Sequence, residues 1–436
     1  MSNRTAGALL STLFMGLGQL YNRQWAKGIL FLAAGIGIVA GAVALDLPSY
    51  LRGLWTLGDQ PSGLVKVGKL TKMVEGDHSI FLLIKGLMAA LGLLLALALY
   101  AGGIRDAYKT GRQRDEGRPV NSFRQSLRAI NNRSFAYIVL LPPAVFILFL
   151  TVLPLIFSVL LAFTNYADPI LPPANLIDWV GFANFVKLVS LKVWSDTFFG
   201  VLLWTVVWAA IATATTYVGG ILVAVLIHQP RIRFKAFWRT VMIVPFAIPS
   251  LISLLVMRNM FNNQFGPVND MLRMIGLGGV PWLSDPNWAK VTLVLVNMWI
   301  GIPITMILAF GILTTISRDL YEAAEVDGAG SYQKFKLITL PMVLFATAPV
   351  LIMQFAGNLN NFNVIYLLTD GGPVNSGYQY AGHTDLLVTW LYKLALDQAQ
   401  YSFASVIGIV IFVIVASLSI WSYRRTRSYK EEDMIA

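Results

Sequence analysis

The sequence contains no cysteine and only three histidines, and just 13% of its 436 residues are charged. Without cysteine there are no disulfides, thiolate nucleophiles or thiolate metal sites. His78, His228 and His383 are scattered and lack metal-ligand spacing. Neither a zincin motif nor a serine-nucleophile elbow is present. The shortage of charge is the most informative absence, because an ordinary globular chain carries about 25%. A soluble chain of this length must cover its surface with polar side chains. Here 56% of residues are hydrophobic and the mean hydropathy is +0.66. These values exclude a soluble enzyme, a disordered chain and a fibre, and indicate a polytopic membrane protein. The excess of 33 basic over 22 acidic residues then belongs to cytoplasmic loops, and nucleic-acid binding explains it poorly.

Crossing a bilayer takes roughly 20 apolar residues per helix. Eight segments qualify, over 28–45, 80–104, 135–163, 198–227, 241–257, 291–313, 337–356 and 403–421. The fifth contains Pro245 and Pro249 and is expected to be kinked or broken. The runs are continuously apolar and do not alternate, so they are helices and not barrel strands. With the N-terminus in the cytoplasm, the cytoplasmic segments hold 22 Lys and Arg and the opposite side 10. Both termini are therefore expected inside, with residues 105–134 as the strongest marker. A cleaved signal peptide ending at Ala42-Val43-Ala44 is disfavoured by the long polar lead and the second span. Residues 6–21 are a weaker apolar stretch that fits an interfacial helix without an assigned function.

No Asp or Glu falls inside any of the eight segments. Ion-coupled carriers usually need such carboxylates or broken-helix ion sites at mid-membrane, so the energy source is expected elsewhere. The chain has no convincing nucleotide site of its own. Gly63 to Leu70 nearly spells a phosphate-binding loop, but Leu70 stands where Ser or Thr must hold magnesium.

The sharpest local signal is Asp319-Leu320-Tyr321-Glu322-Ala323-Ala324-Glu325-Val326-Asp327-Gly328-Ala329-Gly330. Asp319 reads as an N-cap with Glu322 completing a capping box. Gly328 and Gly330 end the helix, and a second short helix fits Ser331 to Thr339, before Pro341. The result is a helix–glycine–helix elbow between the sixth and seventh segments. On these grounds it is either a docking surface or a capped connector.

Glu322-Ala323-Ala324, then Asp327-Gly328-Ala329, then Ile338, Leu340 and Pro341 resemble the signature loop of binding-protein-dependent ABC importer permeases. From about residue 135 to the C-terminus the chain also resembles the larger membrane subunit of maltose/maltodextrin importers. Carrying that likeness are Asn358, Asn360, Asn361 and Phe362, then Leu367 with Gly371-Gly372-Pro373, and Ala381 to Val388. The basic tail at Arg424, Arg425 and Arg427 matches as well. The best-known members have a large folded domain outside between spans three and four. Here 164–197 is only a short loop.

This resemblance implies an all-α fold of eight transmembrane helices. Residues 1–134 would hold two extra spans and a basic cytoplasmic loop. Residues 135–436 would form a six-helix type I importer core. It implies a non-enzymatic transport subunit for maltose, maltodextrin or a related α-glucoside in the cell's inner membrane. Its partners would be a second permease, two copies of a cytoplasmic ATPase and a soluble or lipid-anchored sugar-binding protein. ATP and magnesium would be bound by the ATPase, and this chain would hold no cofactor. Glu322, Ala323, Ala324, Asp327 and Gly328 would couple the two.

Neutral sugars require amide and hydroxyl hydrogen bonds and flat aromatic faces. On one helix Phe355, Asn358 and Phe362 follow i, i+3, i+7 spacing, with Asn361 one turn from Asn358. These asparagines read equally well as helix caps or interhelical bonds. The resemblance implies sugar contact at Asn297, Ile300, Gly301, Ile304, Asn358, Asn361 and Phe362. Gly357 and Ile304 stand where relatives carry aromatic residues. Two other classes remain open: a membrane transferase and a standalone carrier. For the first, Asp370 and Asp385 are the only clustered outside carboxylates in the last loop, and its glycine-rich structure explains them adequately.

Overall fold

The computed structural model describes residues 2–67, 70–120, 125, 135–229 and 231–424. The basic residues Arg124, Arg128 and Arg133, and the tail from Arg425 onward, lie outside that set. The fold is a bundle of membrane-length helices. The chain divides into two compact units, residues 1–181 and 182–436.

The first unit begins with α1 (Asn3–Leu13), α2 (Leu17–Tyr21), α3 (Trp25–Ala44) and α4 (Leu47–Thr56). A hairpin of β1 (Gly63–Val67) and β2 (Leu70–Val74) follows, paired antiparallel. It occupies the near-match to a phosphate loop, which lacks the strand-to-helix turn that such loops need. Then come α5 (Ser79–Asp115) and α6 (Phe135–Leu161), the latter with a π turn at Leu148–Val152. Leu57, Leu83, Leu161 and Ile177 form a buried core. The loop after α6 folds onto α4, with Trp179 Nε1 donating to the Trp55 carbonyl at 3.0 Å.

The second unit contains α7 (Ala183–Ser190), α8 (Lys192–His228), α9 (Lys235–Ala247), α10 (Ser250–Met260) and α11 (Pro267–Met274). It continues with α12 (Pro286–Leu313), α13 (Arg318–Val326), α14 (Ser331–Leu359), α15 (Phe362–Thr369), α16 (Leu387–Leu396) and α17 (Tyr401–Tyr423). Among the described residues seven helices are long and apolar enough to cross a membrane, or eight if α9 and α10, bent by 92° at the break between them, are counted as one span. The bend sits at Pro249, as its ring predicts. Proline drives the preceding residue out of the helical region, and Ile248 is extended at φ −87°, ψ 131°. Seven of the eight expected spans are thus single helices, and the expected fifth corresponds to the bent pair.

Helices α8 and α12 are in intimate contact. A Cβ added to Gly220 would sit 2.5 Å from the Thr305 Cβ, and one added to Gly301 would sit 2.6 Å from the Thr216 Cγ2. Small residues let membrane helices approach closely, because lipid offers no hydrophobic drive between them. One buried core joins Trp208, Leu254, Leu293, Ile365 and Leu386. A second joins Tyr217, Ile221, Met306, Leu313 and Val343.

Candidate functional site

Three asparagines from two helices and the turn between α14 and α15 meet. Asn361 Nδ2 lies 3.3 Å from Asn297 Oδ1 and 3.3 Å from Asn358 Oδ1. Asn358 Nδ2 donates to Thr213 Oγ1 of α8 at 2.9 Å. One turn back, Gln354 Nε2 donates to Thr216 Oγ1 at 2.9 Å. A polar ladder therefore links α8 to α14, and its outer end reaches α12 through Asn297. Polar groups at membrane depth must find partners within the protein or in an aqueous cavity. Asn297 Oδ1 is engaged, while no protein partner for its Nδ2 donors is found among the described residues.

Helix α14 ends at Leu359, inside the stretch read as a helical stripe from Phe355 to Phe362. Asn361 caps the next helix, its side chain accepting from the Val364 N–H at 3.4 Å. The i, i+7 stripe from Phe355 to Phe362 is thereby broken. Phe355 lines an apolar cavity of about 790 Å³ with Tyr217, Phe335 and Trp421. Phe362 turns to an aromatic trio: its ring stacks on Tyr366 at 4.8 Å and meets Tyr392 at 4.9 Å. Amides and rings thus remain neighbours, through a turn instead of a continuous face. Ile300 packs against the core around Trp208, and Gly301 serves the close contact with α8. Ile304, two turns from Asn297, is exposed. Tyr366, Tyr392, Thr213 and Thr216 were not selected from the sequence. Hydroxyls that bond back to their own helix, as Thr216 does to Ala212 O, leave no sequence signal of a partner.

Beyond the trio, the 370–386 loop is held by a buried carboxylate. Asp385 accepts from Gly382 N–H at 2.7 Å, Thr389 Oγ1 at 2.8 Å and Lys393 Nζ at 2.9 Å. Burial pushes its carboxyl above the ordinary range, and these donors pull it back. Lys393 also donates to the Asp370 carbonyl. Asp385 is therefore structural, and Asp370 joins the same network through its backbone carbonyl.

The helix–glycine–helix elbow is present, but it differs from expectation at both ends: the second arm is not a separate short helix, since Ser331 onward runs through a π turn at Phe335–Thr339 straight into the span. Ser317, not Asp319, caps α13: its Oγ accepts from Asp319 N–H at 3.2 Å, and the Glu322 capping box is absent. Asp319 occupies the first turn, where its charge suits the helix dipole. Gly328 adopts φ +79°, the left-handed turn that glycine takes at least cost. Glu325 pairs with Lys334 across the turn, and Tyr321 Oη lies 2.8 Å from Thr339 Oγ1. No residue of α13 is buried. The elbow leaves Leu320, Val326, Tyr332 and Leu337 exposed, Val326 at 88%.

The family model for the inner membrane component of binding-protein-dependent transport systems matches residues 216–428. The galactooligosaccharides transport system permease protein GanP of Bacillus subtilis is 42% identical over 427 residues, 98% of each chain. The chain belongs to this permease family. The maltodextrin transport system permease protein MalC of Streptococcus pneumoniae is 37% identical over 437 residues, covering 98% of this permease and 97% of that protein. Among solved structures, a bacterial ABC transporter importing alginate is similar, with TM-score 0.55 and 27% identity over 69% of this permease and 99% of that chain. The protein is thus a multi-pass inner-membrane transport subunit, and the matched region contains the elbow and most of the amide cluster.

Proposed function

We propose that this permease forms part of the sugar path of an ATP-driven importer for a neutral oligosaccharide, maltodextrin or a related α-glucoside. The juxtaposition of Asn297, Asn358 and Asn361 with the Phe362–Tyr366–Tyr392 trio carries this reading. Amides bond sugar hydroxyls, and rings cover the apolar faces of pyranoses. Carbohydrate uptake is also what the names of the relatives describe. A galacto-oligosaccharide is the second reading, favoured by the 42% identity to GanP.

The elbow is the proposed seat of ATPase docking, with Glu322, Ala323, Ala324, Asp327 and Gly328 at its exposed surface. An unburied helix with Val326 and Tyr332 in the open requires a partner on that side. A second permease is proposed because membership of the binding-protein-dependent permease family implies one. The full assembly would add two ATPase copies and a sugar-binding protein. ATP and magnesium would sit in the ATPase, the termini in the cytoplasm.

The test is uptake by the reconstituted complex in liposomes, offered maltotriose or a galactotriose with the cognate binding protein. Concentrative, ATP-dependent maltotriose uptake supports the first reading. Uptake of the galactotriose alone replaces it with the second. Transport of neither oligosaccharide overturns both.

A further inference from the structure

Residues 2–24 are not accounted for by the sugar path or the elbow. In the structure, α1 packs along the end of α5 and runs antiparallel to it. Near its start, the N–H groups of Asn3 and Arg4 donate to the Asp115 carboxylate at 2.8 and 3.1 Å. Near its end, Tyr100 Oη donates to the Thr12 carbonyl at 2.9 Å. The chain turns at Phe14–Gly16, and α2 comes back. Asn22 Nδ2 then donates to the Ala107 carbonyl at 3.0 Å.

The membrane boundary can be placed on this hairpin. The first charges met on leaving the apolar runs of α3 and α5 are Lys27 and the pair Arg105–Asp106. Lys27 Nζ and Asp106 Oδ1 are 2.6 Å apart, so both helices leave the apolar layer at one level. Tyr100, beside Thr12, stands six residues deeper on α5, about 9 Å at 1.5 Å per residue. Met15 and Phe14 lie against Gly35. Gly35 is eight residues deeper than Lys27 on α3, about 12 Å. Half of a hydrocarbon core is about 15 Å. The turn of the hairpin therefore lies well inside the leaflet.

Its chemistry suits that depth. Irregular backbone is tolerated in the hydrocarbon layer only where protein covers it. Met15 and Gly16 are buried, and Gly16 at φ +98° leaves no room for a Cβ, which would fall 2.5 Å from the Gly28 carbonyl. Gln19 closes the interior, Nε2 donating to the Gly103 carbonyl at 2.8 Å with Oε1 beside Ser11 Oγ. The outward face of α1 is graded. Arg4 and Thr5 are exposed at the shallow end; Leu9 and Leu13 are 55% and 75% exposed at the deep end, with Thr12 beside them, its hydroxyl donating back to the Leu9 carbonyl at 2.7 Å. Tyr21, Arg23 and Trp25, exposed near the Lys27 level, match the aromatic and basic belt of an interface.

We propose that residues 2–24 form a re-entrant hairpin inserted into the cytoplasmic leaflet, with lipid acyl chains covering Leu9 and Leu13. This is a deeper placement than a helix lying at the interface.

The absence of native cysteine permits a direct depth measurement on the assembled importer in lipid nanodiscs. Nitroxide labels at Leu13→Cys, Leu9→Cys and Thr5→Cys are compared for relaxation by oxygen, which partitions into acyl chains, and by a water-soluble nickel chelate. Labels at 13 and 9 should favour oxygen, and the label at 5 should favour the chelate. Doxyl-lipid contact at position 13 should exceed that at position 5 several-fold. Preference for the chelate at 13 and 9 makes the hairpin an aqueous appendage and overturns the proposal. Shielding of both from either reagent shows that protein covers the face, and overturns it equally.

Discussion

Asn361 makes three contacts, to Asn297, to Asn358 and to the Val364 N–H. Its replacement by alanine should therefore act twice. Losing an N-cap costs about 1 kcal/mol, and losing a sugar bond about 1–3 kcal/mol. Asn297 caps no helix, and no partner for its Nδ2 donors is found among the described residues, so its loss leaves the cap effect out. In Asn297→Ala, the concentration for half-maximal uptake should rise roughly five- to 150-fold, with basal ATP hydrolysis and assembly intact. Wild-type uptake by this variant would remove Asn297 from the path. A variant that fails to assemble would identify the cluster as interhelical packing. The second residue-level forecast concerns Lys393. Its removal as Lys393→Met leaves Asp385 buried without its cation, a change worth about 3–5 kcal/mol. A carboxyl held above its ordinary range in the fold binds protons more readily folded than unfolded. Stability then falls as pH rises through that window. The variant should thus unfold more readily at about pH 8 than at about pH 5, with a wider gap than the wild type shows. Thermal melts of both across that range decide it; equal slopes would sink the assignment.

The elbow's turn hinges on Gly328, whose φ of +79° disfavours any residue with a Cβ. No neighbouring atom lies within 4 Å of the place a Cβ would take. Gly328→Ala should therefore cost only about 1–2 kcal/mol of local strain. Gly328→Asp adds a charge at the docking surface. The aspartate variant should insert normally but fail to retain the ATPase on co-purification or to show sugar-stimulated hydrolysis; the alanine variant should keep both in part. Full transport by Gly328→Asp would take the elbow out of the mechanism. The broken span α9–α10 makes a contrasting case: its position was legible in Pro249, because the constraint is local to the chain. The break at Asn360 was legible only as one of two readings, because the asparagines fit helix caps as well as a helical stripe until the Asn361 cap bond is seen.

Across the entire chain, the proposed orientation rests on the distribution of Lys and Arg, 22 against 10. Single cysteines test it without background. An impermeant thiol reagent should label Ser376→Cys in intact cells and reach Arg118→Cys only after lysis. The reverse pattern would invert the topology, and with it the elbow's access to a cytoplasmic ATPase. The two compact units also differ in how much of them the family model describes. Residues 216–428 fall in the second, while the hairpin of residues 2–24 lies in the first. Deleting the hairpin should consequently impair insertion or stability more than sugar affinity, as read by expression level and by half-maximal uptake concentration.

The sequence alone determined the membrane class, the apolar helices long enough to cross, the proline break and the glycine elbow. Each rests on composition, on an apolar run of sufficient length or on the backbone preference of one residue, all of which are properties of contiguous chain. Only the tertiary structure decided which polar groups meet. Thr213 faces Asn358 across 145 positions, and Gln19 reaches Gly103 across 84. Gly301 turned out to serve a helix contact, and Asp385 a buried ion pair with Lys393. In a bilayer every such group must be satisfied by a partner from another helix, and helix pairing is set by complementary surfaces, which no local pattern of residues encodes.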